Sequence, residues 1–105
     1  KTQVCFFGHT HFPFVYTERD HQVEGTFLEG DHNEIKIEKG VRYLINPGSV
    51  GQPRDGDARA AFAYYESEKQ VVEYWRVPYD IAATQEKMLA AGLPQVLITR
   101  LSFGR

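Results

Sequence analysis

The sequence predicts an α+β chain in which strands come first and helices last. Three observations predict it. β-favouring runs recur as far as residue 77, some apolar throughout and some strictly alternating. Clusters of Gly, Pro, Asn and Asp separate these runs. Only beyond Pro78 does the apolar spacing change to a helical period. Many strands followed by a helical cover describes a β-rich sheet structure, and residues 1–105 read as a single region of it.

Residues 3–7 are apolar without alternation, which predicts a short strand covered on both faces. Gly8 ends it and opens a loop that carries His9 and His11. Pro13 is barred from a central ladder, so the loop or an edge reaches about that far. Residues 14–17 and 23–28 are strand-like and flank the polar turn 18–21. A turn cluster, Gly30-Asp31-His32-Asn33, precedes residues 34–38, whose strict alternation marks a half-buried strand. Residues 41–45 form another strand and run into a loop dense in Gly, Pro and Asp, ending near Asp57. Residues 59–65 and 70–77 then form a hairpin. Asp80 is the N-cap of a helix whose face includes Ile81, Thr84, Met88 and Leu89, with Gly92 and Pro94 as its stop. A second short helix, 94–102, places Leu97, Ile98 and Leu101 on one face.

Composition excludes several function classes. Acidic and basic residues interleave to a net charge of -2, and no basic stripe offers a nucleic-acid patch. No apolar run approaches the roughly 20 residues that span a bilayer, so no membrane partner is expected. The single cysteine, Cys5, rules out an internal disulfide and fits a cytoplasmic location. Its apolar neighbours predict an inert, buried thiol. Lys1, rather than Met, leads into a core strand by Val4, and we expect a C-terminal piece of a longer protein. Tyr64, Tyr65, Tyr74 and Trp75 read as sheet core, and His21 and His32 as solvated turn residues.

The chemistry lies in Cys5-Phe6-Phe7-Gly8-His9-Thr10-His11. In an extended segment residues i and i+2 share a side, so both rings can address one volume. Neutral imidazole is the commonest protein metal ligand. The plainer reading is two loop histidines, one of them capping a carbonyl. Gly-His-Thr-His at the end of a core strand favours the metal, since sites in open α/β sheets lie at strand ends. Other families with a His-x-His pair fit less well. The chain is too short for the large barrel of the amidohydrolases. Phe12 and Pro13 stand where a metallo-β-lactamase carries further ligands, and Pro13 where a histidine-triad hydrolase carries its third histidine.

Gly8-His9-Thr10-His11, with Pro13 after it, resembles the last metal-binding motif of calcineurin-like metallophosphoesterases. Asn46-Pro47-Gly48-Ser49-Val50-Gly51-Gln52-Pro53-Arg54-Asp55-Gly56, followed by Ala60-Ala61-Phe62-Ala63, resembles the segment that follows it in the small bacterial and archaeal members. The resemblance implies an α/β/β/α sandwich, of which this chain is the C-terminal half. It implies that His9 and His11 bind two divalent ions, Mn, Fe or Zn, together with ligands from an N-terminal half. Those earlier motifs, Asp-x-His, Gly-Asp-x-x-Asp and Gly-Asn-His-Asp/Glu, are absent here. Two ions about 3.5–4 Å apart orient a phosphoester and generate a hydroxide nucleophile. The chain alone is therefore expected to be inactive, and to pair with the missing half or with a second copy through exposed apolar sheet. The rival reading is a non-catalytic interaction scaffold on the same fold.

Asn46, Ser49 and Arg54 are the candidate substrate-binding residues. The N–H groups around Gly48, Ser49 and Val50 suit an anion-binding concavity. The favoured reading is structural: Asn46-Pro47 ends a strand and Gly48 takes a positive φ in a turn. Arg54 suits a bidentate phosphate contact, or is a solvated loop arginine.

Overall fold

The computed structural model describes residues 2–105. Seven strands precede two short helices, as the patterning predicts: β1 (Val4–Phe6), β2 (Pro13–Arg19), β3 (Gln22–Phe27), β4 (His32–Lys36), β5 (Arg42–Pro47), β6 (Ala60–Glu66), β7 (Val71–Val77), α1 (Ile81–Ala90) and α2 (Gln95–Thr99). A 3-10 turn, Arg100–Ser102, continues α2. The strands form two sheets, ordered β1-β5-β2-β3 and β4-β7-β6. Val15, Leu28, Val41, Tyr43 and Ile45 meet Ala61, Val72 and Tyr74 between the sheets, so one apolar layer is shared by two inner faces.

Pairing is antiparallel except for β1, which runs parallel to β5 with Cys5 beside Leu44. This exception positions the site. The C-terminal ends of β1 and β5 lie side by side, so the loops that leave them meet. Pro13 opens β2 and pairs with Pro47, the strand-start position that proline tolerates.

The outer face of the first sheet is less covered than the sequence suggests. Cys5, beside Leu44 on this face, is exposed rather than buried; Phe6, on the opposite side with Val4 and Ile45, is itself 43% exposed, so neither face of β1 is fully sheathed. Across the same sheet Tyr16, Val23, Phe27 and Leu44 are exposed, and Phe14 stacks between Tyr16 and Phe27 at centroid distances of 4.6 and 4.8 Å. Uniformly apolar strands carry a second apolar face, and nothing within the described residues covers it.

Three further departures concern single elements. His32 lies in β4 rather than in a turn, because it pairs with Trp75, stacks on that indole at 3.9 Å and meets Glu73 at 2.9 Å. Tyr64 and Tyr65 are 52% and 40% exposed, whereas Tyr74 is fully buried. Tyr64 and Tyr65 lie on β6, at the edge of a three-stranded sheet, while Tyr74 lies on its central strand. Asp80 caps α1 by accepting from the Ala83 N–H, yet no residue of α1 is buried and Leu89 is 64% exposed. Ile98 and Leu101, by contrast, are buried as expected. Among the described residues, no helix is long and apolar enough to cross a membrane.

Candidate metal centre

His9 and His11 lie in the loop between β1 and β2, and neither is extended. Their φ values are 80° and 66°, the left-handed region that non-glycine residues avoid. The i, i+2 argument therefore does not describe how they are placed. Gly8, expected to supply the sharp turn, has neither a positive φ nor a crowded Cβ position. The histidines carry the unusual backbone themselves. Such strain costs about 1–3 kcal/mol per residue and survives where surrounding contacts over-determine it.

Those contacts come from the loop after β5. Asn46 is fully buried. Its Nδ2 donates to Thr10 Oγ1 at 2.9 Å and to the Gly8 carbonyl at 3.3 Å, and its Oδ1 accepts from the Gly48 N–H at 2.9 Å. Thr10, between the two histidines, is thereby fastened to β5. Gly48 has φ of 87°, and a Cβ there would sit 3.0 Å from the Ala61 side chain. Turn and close approach both require glycine. Removing Asn46 as Asn46→Ala strands these partners and is expected to cost about 2–3 kcal/mol, read as a lowered unfolding midpoint.

His11 is half-buried, and its Nδ1 lies 2.7 Å from the Gln52 carbonyl oxygen. A carbonyl only accepts, so the contact requires a proton on Nδ1, and in the neutral form of that tautomer the lone pair lies on Nε2. This is the carbonyl contact of the plainer reading. It is also the arrangement that holds a metal-ligating imidazole in one tautomer. His9 is exposed. Among the described residues, no group of three or more His, Cys, Asp or Glu side chains gathers where an ion would sit. The donors fit a metal in kind but not in number: two imidazoles, one of them oriented, are fewer than the four ligands a zinc-type site takes.

The other candidates divide by burial. Asn46 is enclosed and acts on the loop. Ser49 Oγ accepts from the Gln52 N–H at 2.8 Å, and the Ser49 carbonyl accepts from Ala61 N–H at 2.9 Å. Arg54 is exposed. Thr10 and Gln52 have roles here that their residue types do not announce. Gln52 acts on His11 through its main chain, which no residue pattern encodes.

Beyond this loop lies a charged cluster. Arg76, 4% exposed, pairs with both oxygens of Asp55, one of them at 2.6 Å, and donates to the Asp57 carbonyl at 2.7 Å. Arg59 grips Asp57 with Nη2 at 2.8 Å. Hydrogen bonds from Arg59 hold the Asp57 carboxyl below its usual range, against the opposing effect of burial. The C-terminal tail closes over this cluster. Gly104, at φ 67°, accepts from the Gly56 N–H at 3.0 Å, and a Cβ at Gly104 would meet the Asp57 backbone at 2.7 Å.

No family model matches the chain. It is 42% identical over 102 residues to an uncharacterized protein of Methanocaldococcus jannaschii, a match spanning 97% of this chain and 40% of that protein. The crystal structure of a metallophosphoesterase from Sphaerobacter thermophilus is similar with a TM-score of 0.85 and 45% identity, over all of this chain and 43% of that one. The chain thus spans less than half the length of these relatives. Its two sheets and terminal helices match the C-terminal part of a metallophosphoesterase fold.

Proposed function

We propose that this chain is the C-terminal portion of a single calcineurin-like metallophosphoesterase domain, in which His9 and His11 contribute to a two-metal centre that hydrolyses phosphoesters. The observation that carries this reading is the His11–Gln52 contact, which reserves Nε2 for a ligand. The likeness to the Sphaerobacter thermophilus metallophosphoesterase supports it. When bound, the ions supply positive charge and an activated water; imidazole donors favour Mn, Fe or Zn. In this reading His9 and His11 bind the ions. Asn46 and Ser49 shape the loop facing the phosphoester, and Arg54 reaches its oxygens. The remaining ligands lie outside these residues, so the chain by itself is inactive. A cytoplasmic location belongs to the same proposal and rests on the lone cysteine.

The test is metal analysis of the intact protein with hydrolysis of a generic phosphodiester before and after chelation. About two divalent ions per chain, with activity lost on chelation and restored by Mn²⁺, support the proposal. An intact protein with neither metal nor hydrolysis is a scaffold.

The proposal extends to the open face around Cys5, Tyr16 and Leu44. The rest of the intact protein covers it, because apolar sheet of this extent is costly to leave in water. Cys5 is therefore expected to react with a thiol reagent in the isolated 105-residue segment and to be protected in the intact protein. Equal labelling rates in the two would leave the face open and remove this part of the proposal.

A further inference from the structure

The C-terminal turn is wired to the histidine loop. Arg100, half-buried in the 3-10 turn, faces the Gln52 side chain. With the amide oxygen turned toward it, Gln52 accepts from Arg100 Nε at 2.7 Å and also from Nη2. The opposite orientation would set amide N–H groups against guanidinium N–H groups, donor against donor. The single Arg100 Nε–H is shared with the Arg105 carbonyl, at the longer distance of 3.2 Å. Gln52 is thus held at three points. Its side chain meets Arg100, its N–H meets Ser49 Oγ, and its carbonyl takes the His11 Nδ1 proton.

We infer that Arg100 and Gln52 are positioning residues for the His11 imidazole: the C-terminal turn fixes the Gln52 carbonyl, and the carbonyl fixes the ring's tautomer and direction. The inference rests on the metal-binding reading of His11 but concerns a different link. Hydrogen bonds that orient a ligating imidazole contribute about 10–100-fold to metal affinity. Releasing Gln52 leaves its carbonyl free to drift from Nδ1, and the ring then samples the tautomer whose Nε2 carries the proton.

The experiment uses the intact protein with ¹⁵N-labelled histidine, metal-free and at a pH where the rings are neutral. His11 is expected to be the Nδ1–H tautomer in the wild type and a mixture in Arg100→Ala and Gln52→Leu. Each substitution is expected to lower Mn²⁺ affinity about 10-fold. The two together should weaken it little further, because they break one relay rather than two independent contacts. Gln52→Glu, which still accepts from Arg100, is expected to stay near the wild type. Should Arg100→Ala fail to fold, Arg100→Lys removes the fork while keeping the charge, and Gln52→Leu reads the same link. An unchanged tautomer and affinity in the folded variants overturns the relay. If His11→Ala loses Mn²⁺ while those variants keep it, the metal reading stands and the relay falls. If His11→Ala itself keeps Mn²⁺, the metal reading falls, and the tautomer comparison alone judges the relay.

Discussion

If the proposed two-metal reading holds, His11→Ala in the intact protein is expected to lower phosphoester hydrolysis by at least about 100-fold and to reduce the bound metal. The lower bound follows from the cost of losing only a partner that orients a ligand, about 10–100-fold; losing the ligand exceeds it. Stability should change little, since His11 contributes one polar contact and is not fully enclosed. Its positive φ of 66° gives a second contrast. His11→Gly relieves the backbone and His11→Ala does not, so glycine should be the more stable of the two and equally inactive. Measuring kcat/KM, metal content and unfolding midpoint on both variants separates the ligand from the backbone. Undiminished metal and hydrolysis in either variant would reject the role assigned to the ring.

The candidate site rests on two short sequence blocks, residues 8–11 and 46–56, whose loops leave neighbouring parallel strands. The strands were legible because their patterns are local: alternation in 34–38, continuous apolar runs elsewhere, glycine and proline between them. What could not be read locally was coverage. A run such as Val4-Cys5-Phe6-Phe7 encodes two apolar faces but not what lies over each, so Cys5 and Phe6 were expected inside and are outside. The same limit applies to α1, whose apolar residues promise burial that the described residues do not provide. The histidine geometry was unreadable for another reason. Left-handed backbone at His9 and His11 is imposed from residues 46–52, through Asn46 and the Gln52 carbonyl, across a sequence distance that no window captures. Arg76 carries no signal in the sequence, because one arginine in a strand resembles any solvated one until the fold buries it.

Arg76→Met is expected to be among the most destabilising single changes in the chain, by about 3–5 kcal/mol, the cost of breaking a buried ion pair by removing one partner. The Arg76 side chain is only 2% exposed. It donates to Asp55, to the Asp57 and Arg59 carbonyls and to the Tyr74 hydroxyl. Methionine fills part of the volume but satisfies none of these acceptors. A fall in the urea midpoint of the intact protein measures the effect; a change under about 0.5 kcal/mol, ordinary for a surface site, would show that the cluster is dispensable. Acid reports the same cluster from its other side. The Asp57 carboxyl is held low by Arg59, so its folded pKa lies beneath the unfolded value of about 3.9. Its contribution is then complete above that unfolded value and lost as the pH falls through the folded one. Asp57→Asn should therefore flatten the stability profile below about pH 4 and lower the plateau above it. On the proposed reading the consequence reaches the candidate metal site, because Asp55 and Asp57 end the loop that carries Gln52. A loop freed at Arg76 no longer presents that carbonyl to His11 in one place. Arg76→Met should weaken Mn²⁺ binding even under conditions where the variant remains folded, an effect that a purely global loss of stability would not produce.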